Sequence, residues 1–320
     1  MDSNGGDLSA VLIQALNILV GIIIYFPAIH QLNNQYSNSQ IALAALDTSY
    51  TRRQEEAASL QADPIAAAIQ SQKEQQVLEK QIELLSHQDF CLEYQPQISQ
   101  IDKQLIGCEA LIRGKDRKGN LVAPFHFLPW LEKADLMKDV DLWVFRQVVK
   151  DIQVMEENDL RVTVSVNVTP ETLLDDRYMR EIENTIKPFA HLIHFEITEE
   201  TLLADQQKLS HVFNRLHQLG VKIHIDDFGT GYSSLSYLNQ FPIDTIKIDR
   251  AFVNALANRK GQKVFAGILA IAERLEMEVV VEGVETKDQL NFIPVNDTIT
   301  IQGWYYSRSL PLDKFLNYKV

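Results

Sequence analysis

Cysteine is scarce in this chain, which has two cysteines among 320 residues, Cys91 and Cys108. Two cysteines are too few for a disulfide framework, and their spacing does not match that of a zinc site. The sequence therefore argues against the small disulfide-stabilised classes and against cysteine-based metal centres. We expect both thiols to be reduced.

Basic residues are also in short supply, with 30 Lys and Arg against 43 Asp and Glu, for a formal net charge of −13. A field of this sign repels nucleic acid polymers, so no such polymer is expected as a partner. An anionic substrate therefore requires local cations or bound metal ions at its site.

Charged side chains are missing altogether from residues 8–46. Inside this stretch, residues 10–29 form an apolar run of the length that crosses a bilayer as a helix. The residues before it are acidic and lack the basic region of a secretory signal. The first basic residues after it, Arg52 and Arg53, favour a cytoplasmic body. We predict one transmembrane helix within residues 1–30; the alternative is a buried or interfacial apolar helix.

Glycine is absent from residues 31–75, and proline occurs there once, as Pro64. This polar, alanine-rich composition predicts a helical linker over residues 31–76. The pattern then changes, and residues 77–320 show the strong periodicity of a folded domain.

Short β-rich runs recur in that domain, each followed by a helix-like stretch. The runs are CLEYQPQI, LIGCEALIR, RVTVSVNVT, LIHFEITEE, VKIHIDDFG, DTIKIDR, MEVVVEGVE and TITIQGW. Eight strands alternating with amphipathic helices predict an α/β fold of the (β/α)8 barrel type. An open doubly wound sheet is the alternative, although the Gly-rich turn of its nucleotide-binding versions is missing.

Polar residues lie at the C-terminal ends of these runs, on one face of each strand. In the run at 221–229, His224 and Asp226 share one face, and Ile223 and Ile225 share the other. In a barrel the C-terminal ends of the strands form the mouth, where active sites are assembled. The same count brings to that mouth Glu109, Asn167, Glu196, Lys247, Glu282 and Gln302.

So many acids in one cleft repel each other unless cations lie among them. The candidate ligands are hard oxygen donors, which favour Mg²⁺ or Mn²⁺ over zinc. Two such ions can clamp a phosphodiester and activate a water. Lys247 would neutralise developing charge or orient that water. The alternative is that these acids are unrelated surface residues at loop starts.

The ordered set of motifs resembles the EAL domain, the cyclic-di-GMP phosphodiesterase family, from about Val77 to the C-terminus. The motifs are EALIR at 109–113, NVT at 167–169, EITEE at 196–200, DDFGTGYSSL at 226–235, IKIDR at 246–250, VEGVET at 281–286 and QGW at 302–304. The resemblance implies a modified barrel with an antiparallel first strand. It also implies metal-dependent hydrolysis of cyclic-di-GMP to linear pGpG. Gly114 and Ser309 depart from the family pattern without removing an implied ligand.

The resemblance also implies a role for each motif residue. The metal ligands would be Glu109, Asn167, Glu196, Asp226 and Asp227. Lys247 and Glu282 would handle the attacking water, and Glu199 would brace the loop that begins at Asp226. Substrate would be lined or supported by Gln95, Leu111, Arg113, Asp249 and Gln302.

These inferences predict a single-pass protein of the bacterial inner membrane with its phosphodiesterase domain in the cytoplasm. In this family the braced loop links the site to a dimer interface, so we expect a homodimer. Regulation would come through another membrane protein or through linker-mediated dimer geometry. The alternatives are a catalytically inactive cyclic-di-GMP receptor, a protein-binding scaffold, and an enzyme for another phosphodiester.

Overall fold

The computed structural model describes residues 90–116, 119–133, 135–229 and 235–320. The predicted transmembrane segment and the predicted linker both lie outside these described residues. Within the described ranges, no helix combines the length and the apolar character that a membrane crossing requires.

The described residues form one ten-stranded sheet. The strands are β1 (Phe90–Ser99), β2 (Leu105–Lys115), β3 (Leu121–Val122), β4 (Thr163–Asn167), β5 (Ile193–Thr198), β6 (Lys222–Phe228), β7 (Thr245–Ile248), β8 (Glu278–Val281), β9 (Ile299–Gln302) and β10 (Leu310–Pro311). Each of the eight β-rich runs of the sequence overlaps one of the longer strands, so these predictions are confirmed. The two-residue strands β3 and β10 were not predicted.

The sheet closes on itself as a barrel. Its order is β10-β1-β9-β8-β7-β6-β5-β4-β2-β3, and the additional pairing of β1 with β2 completes the ring. Neighbours from β4 to β9 are parallel, as are β2 and β4. Strand β1 runs antiparallel to both β2 and β9. The predicted barrel and its antiparallel first strand are therefore confirmed.

Helices follow most of the strands and cover the outside of the barrel. They are α1 (Leu128–Lys133), α2 (Met137–Glu157), α3 (Pro170–Leu173), α4 (Asp176–Ile186), α5 (Gln206–Gln218), α6 (Leu235–Gln240), α7 (Arg250–Ala255), α8 (Arg259–Arg274), α9 (Lys287–Phe292) and α10 (Leu312–Phe315). Short 3₁₀ turns span Pro124–His126, Lys187–Leu192 and Glu199–Leu203.

Side-chain caps fix where several of these helices begin. The side chains of Asp205 and Asn258 accept hydrogen bonds from backbone N–H groups in the first turns of α5 and α8. Thr286 and Gln289 form a reciprocal capping box at the start of α9. Each cap satisfies a helix N–H that would otherwise lack a partner and contributes about 1 kcal/mol.

The core lies between the outer face of the strands and the inner faces of the helices. Phe145 of α2 and Phe195 of β5 are both fully buried, with ring centroids 4.6 Å apart. Helix α5 buries Leu209 and Phe213, two of the residues on its apolar face. Burying one such side chain contributes about 1.5–3 kcal/mol. This packing holds the strand ends in fixed relative positions.

Strand register brings the polar ends of the parallel strands to one rim. Asn167 pairs with Glu196, and Thr198 pairs with Asp226. Gln97 of the antiparallel β1 pairs with Gln302 at the end of β9. Residues between 28 and 205 positions apart in the chain therefore meet at the mouth of the barrel.

Candidate active site

Lys247 lies at the centre of the mouth, where among the described residues it contacts four carboxylates. Its Nζ is 2.6 Å from Glu196 Oε2, 2.7 Å from Glu282 Oε1, 3.1 Å from Asp226 Oδ1 and 3.5 Å from Glu109 Oε2. The lysine is fully buried because it lies on the inner face of β7. We call Lys247 and these four acids the mouth cluster.

Glu109 is held by two amides as well as by Lys247. Asn167 Nδ2 donates to Glu109 Oε1 at 2.9 Å, and Gln302 Nε2 donates to Glu109 Oε2 at 2.5 Å. Burial acts to raise the pKa of Glu109. The charge of Lys247 and the two amide hydrogen bonds outweigh burial, so this pKa lies below its usual value. Glu109 is therefore ionised and fixed in direction.

If they were all ionised, the acids of the mouth cluster would carry more negative charge than the one lysine can balance. Burial, together with the charge of Glu109, holds the pKa of Glu196 well above its usual value, although Lys247 opposes the shift. Burial also raises the pKa of Glu282 to about 8, again against Lys247. Carboxylates that lack enough cations take up protons instead. The cluster is therefore short of positive charge.

The two adjacent acids at the end of β6 differ in exposure and backbone shape. Asp227 has a φ of 54°, in the left-handed region, and its backbone N donates to Asp226 Oδ1 at 3.0 Å. Burial and then the charge of Asp226 raise the pKa of Asp227. Carboxylate oxygens of Asp226, Asp227 and Glu282 lie within 4.8 Å of one another. That spacing allows the three acids to share a cation.

Glu199 braces the start of the loop after β6. Its Oε1 accepts a hydrogen bond from the backbone N–H of Gly229 at 2.6 Å. Gly229 has a φ of 91°, and a Cβ at this position would lie 2.7 Å from the ring of Phe252. The remainder of the loop, residues 230–234, falls outside the described residues. The contact that the resemblance implied for Glu199 is present, while the role of this residue stays a prediction.

The predicted substrate residues lie around the rim rather than in one cluster. Gln95 Oε1 accepts from Gln302 Nε2 at 3.2 Å, which places both glutamines beside the mouth cluster. Arg113 Nε donates to Glu93 Oε2 at 2.9 Å. Asp249 Oδ1 accepts from the backbone N–H of Ala251 and caps α7. Asp249 therefore has a structural bond that strand alternation did not reveal.

Leu111 borders a cavity that opens beside the site. The cavity has a volume of ≈350 Å³, and its other lining residues include Asn167 and Thr198 at the ends of β4 and β5. Ligand pockets for small molecules range from about 300 to 1,000 Å³. A larger cavity of ≈530 Å³ lies at the opposite ends of β8 and β9, bordered by Val279 and Ile299, and is remote from the mouth cluster.

Two residues at the mouth, Ser309 and Gln97, make hydrogen bonds that the sequence did not predict. Ser309 accepts a hydrogen bond from Arg113 Nη2 at 2.8 Å and donates to Glu93 Oε2 at 2.7 Å, so it joins this ion pair. Gln97 Nε2 donates to Gln302 Oε1 at 2.9 Å. Gln97 shares a strand face with Gln95, and that alternation is the one sequence signal that could have placed Gln97 near the site.

The donor atoms of the mouth fit a hard divalent cation. Glu196 Oε1 is buried and finds no hydrogen-bond donor among the described residues. Asn167 donates to Glu109 through Nδ2, so its amide oxygen takes no part in that bond. Carboxylate and amide oxygens are the ligands that Mg²⁺ and Mn²⁺ prefer. A buried oxygen without a donor, in a cluster short of positive charge, meets the requirement for a metal site.

The fold and the site define a class of protein: a mostly parallel β-barrel with an acidic mouth whose oxygen atoms suit a divalent metal ion. The EAL domain family profile matches residues 75–309. This chain belongs to the EAL domain family.

Two relatives of this chain carry names that state an activity. The chain is 32% identical over 249 residues to the cyclic di-GMP phosphodiesterase NbdA of Pseudomonas aeruginosa, covering 76% of this chain and 32% of NbdA. It is 31% identical over 237 residues to the probable cyclic di-GMP phosphodiesterase PdeB of Escherichia coli, covering 73% and 45%. This chain therefore spans less than half the length of these two curated relatives.

Solved structures share the fold. The PaMucR phosphodiesterase in complex with c-di-GMP superposes with a TM-score of 0.69 at 29% identity, covering 75% of this chain and 99% of that one. The EAL domain protein from Listeria monocytogenes gives a TM-score of 0.67 at 27% identity, covering 75% and 96%. These two structures correspond to the barrel part of this chain.

Proposed function

We propose that this chain is a metal-dependent phosphodiesterase that hydrolyses cyclic-di-GMP to linear pGpG. The observation that carries the proposal is the mouth cluster, in which four carboxylates surround the buried Lys247. NbdA, at 32% identity, is named a cyclic di-GMP phosphodiesterase, and PdeB, at 31%, is named a probable one, which supports the substrate class.

The residues that would hold divalent cations follow from their donor atoms. Glu109, Asn167, Glu196 and Asp226 would bind one ion, and Asp226 with Asp227 would bind a second. When bound, Mg²⁺ or Mn²⁺ supplies positive charge that polarises a phosphodiester and makes water more acidic. The acids and amides of the chain hold the ligand oxygens in place.

Lys247 and Glu282 would act on the attacking water. Glu282 Oε1 is 2.7 Å from Lys247 Nζ, so one donor and one acceptor lie side by side at the end of two adjacent strands. The lysine would orient the water, and the carboxylate would accept its proton. The barrel wall beneath them excludes bulk solvent because Lys247 is fully buried.

Substrate would be oriented by the residues around the rim. Arg113 carries a planar cation suited to a phosphate, and it is fixed by Glu93 and Ser309. Leu111 would contact a base from the wall of the ≈350 Å³ cavity. Gln95, Gln302 and Asp249 would support these contacts.

Product analysis on the purified full chain tests this function. We expect conversion of cyclic-di-GMP to pGpG with Mg²⁺ or Mn²⁺, and none after the ions are removed with EDTA. Glu109→Ala should abolish turnover, whereas Glu278→Ala, at an exposed acid on the remote end of β8, should leave it unchanged. Tight nucleotide binding without product under any metal would instead identify a receptor.

We also propose that residues 10–29 anchor the protein in the inner membrane, with the barrel in the cytoplasm as a homodimer. The charge-free stretch of the sequence supports the anchor. Deleting residues 1–30 should move the protein from the membrane fraction to the soluble fraction.

Light scattering should give twice the mass of one chain, and a single-chain mass would refute the dimer. Cross-linking in membranes would reveal a membrane protein partner.

A further inference from the structure

Three glutamine side chains from β1 and β9 form a directed chain of hydrogen bonds at the mouth. Gln97 Nε2 donates to Gln302 Oε1 at 2.9 Å. Gln302 Nε2 donates to Gln95 Oε1 at 3.2 Å and to Glu109 Oε2 at 2.5 Å. Gln95 Nε2 in turn donates to the backbone oxygen of Ser307 at 3.3 Å. We call Gln97, Gln302 and Gln95 the amide chain.

The orientation of the Gln302 amide group decides whether its oxygen or its NH₂ group faces Glu109. A carboxamide has an oxygen that only accepts and an NH₂ group that only donates. Because Gln97 donates to the oxygen of Gln302, the NH₂ group of Gln302 is turned toward Glu109. The opposite direction would set the Gln302 oxygen against a carboxylate oxygen, which repels it. The hydrogen bond from Gln97 therefore favours the orientation that presents the NH₂ group of Gln302 to Glu109.

Gln97 is held tightly enough to perform this task. Gln97 and Gln302 are 4% and 3% exposed, and their Cα atoms face each other in the β1–β9 register. On its other side Gln97 pairs with Gly107 of β2. A Cβ at position 107 would lie 2.8 Å from Gln97 Oε1, so the glycine leaves the space that this amide oxygen fills.

We propose that Gln97 is a positioning residue for Glu109, acting through Gln302. It neither touches substrate nor binds metal; it sets the direction of the amide that orients a metal ligand. The inference rests on the proposed function, because it takes Glu109 to be a ligand of the divalent ion. Outer partners of metal ligands change metal affinity by about 10- to 100-fold when they are removed.

Mn²⁺ binding to the full chain, measured by isothermal titration calorimetry, tests the proposal without depending on turnover. Gln97→Met keeps the apolar volume and removes the N–H donor. We expect it to weaken Mn²⁺ binding about tenfold or more. Gln100→Met is the matched control, since Gln100 is also a buried glutamine but its Nε2 donates to the backbone oxygen of Ile293. This control should bind Mn²⁺ within about twofold of the unsubstituted chain.

Gln97→Glu provides a second variant of nearly the same shape. Its carboxylate accepts only, so it would turn the Gln302 oxygen toward Glu109 and weaken Mn²⁺ binding further than Gln97→Met. The inference is overturned if Mn²⁺ affinity is unchanged in both Gln97 variants, or if Gln100→Met loses as much affinity as they do. Hydrolysis by the unsubstituted chain upholds the proposed function in either case. Mn²⁺ binding without hydrolysis overturns the function alone. Absence of Mn²⁺ binding in the unsubstituted chain overturns both.

Discussion

The two sides of the barrel mouth hold their acids in different ways. On the side of β5 to β8, Glu196, Asp226 and Glu282 surround the cation of Lys247. On the side of β1, β2, β4 and β9, the neutral amides of Asn167 and Gln302 hold Glu109. We refer to these as the charged side and the amide side.

This difference shows how charge and direction are divided between the two sides. A lysine ammonium attracts several carboxylates at once but imposes little direction on them. A carboxamide adds no net charge but presents a donor at one defined position. The charged side thus sets how many cations the mouth needs, and the amide side sets where one ligand points.

Replacing Lys247 should destabilise the charged side, and we expect the largest loss of stability from this change. Lys247→Met leaves buried carboxylates without their cation, which should lower the free energy of unfolding by about 3–5 kcal/mol in metal-free buffer. Added Mn²⁺ should recover part of this loss, and hydrolysis should remain absent. Chemical denaturation with and without Mn²⁺ measures both effects.

Lys222 provides the matched control for that experiment. It lies on the neighbouring strand β6, and its Nζ is 2.7 Å from Glu278 Oε1, but both side chains are about half exposed, at 41% and 51%. Exposed ion pairs contribute only about 0–1 kcal/mol. An equal loss of stability in Lys222→Met and Lys247→Met would contradict the special position of the buried lysine.

Asp141 is a buried acid that lies outside the mouth cluster. Asp141 Oδ2 accepts from the backbone N–H and the hydroxyl of Thr169, and burial raises the pKa of Asp141 to about 6 against these bonds. The folded chain therefore binds this proton more tightly than the unfolded chain. This group's contribution to stability is greatest below about pH 4 and is lost as pH rises through about 6.

Asp141→Asn should flatten that pH dependence. Across the window from about pH 4 to pH 6, it should remove about 2–3 kcal/mol of variation in the free energy of unfolding. The amide oxygen can still accept a hydrogen bond from Thr169. Urea unfolding at a series of pH values provides the measurement, and an unchanged profile would show that Asp141 does not titrate in this window.

The amide side should respond to Gln302→Leu with a smaller effect. Glu109 keeps Asn167 and Lys247 but loses its closest donor, so Mn²⁺ affinity should fall by about 10- to 100-fold while the chain stays folded. Calorimetry and thermal unfolding on the same samples separate the two effects. A loss of folding as large as that of Lys247→Met would remove the distinction between the two sides.

The loop after the charged side should give the smallest effect. Gly229→Ala places a side chain at a φ of 91°, which should lower the free energy of unfolding by about 1–2 kcal/mol and reduce hydrolysis. Gly267 is the control because it lies in α8 with nothing within 4 Å of an added Cβ. Gly267→Ala should stabilise the helix by about 0.5–1 kcal/mol. Loss of stability in the control alone would contradict this account of the loop.

The sequence predicted which side chains reach the mouth because alternation along a strand is a strong constraint. Glu109, Glu196, Lys247 and Gln302 all lie where that count put them. The antiparallel direction of β1 followed from the resemblance, since alternation does not specify strand direction. The transmembrane helix stays a prediction because its residues lie outside those described.

The contacts between the side chains of the site, and the directions of their hydrogen bonds, could not be predicted from the sequence. Lys247 meets Asp226 and Glu282 because β7 lies between β6 and β8, and it meets Glu109 and Glu196 of the more distant β2 and β5. Alternation gives no distances across a barrel. Gln97 belongs to no motif, and its partner Gln302 is 205 positions away, so its hydrogen bond became visible only in the folded chain. Asp249 was predicted at the rim, yet its bond to Ala251 depends on where α7 begins.

Anomalous diffraction from a crystal of this protein soaked in Mn²⁺ tests the central claim most directly. We expect a manganese peak bonded to oxygens of Glu109, Glu196 and Asp226, with the Asn167 amide oxygen completing the set. A mouth cluster without manganese, in a crystal where the ion is bound elsewhere on the chain, would contradict the claim that these residues form a metal site.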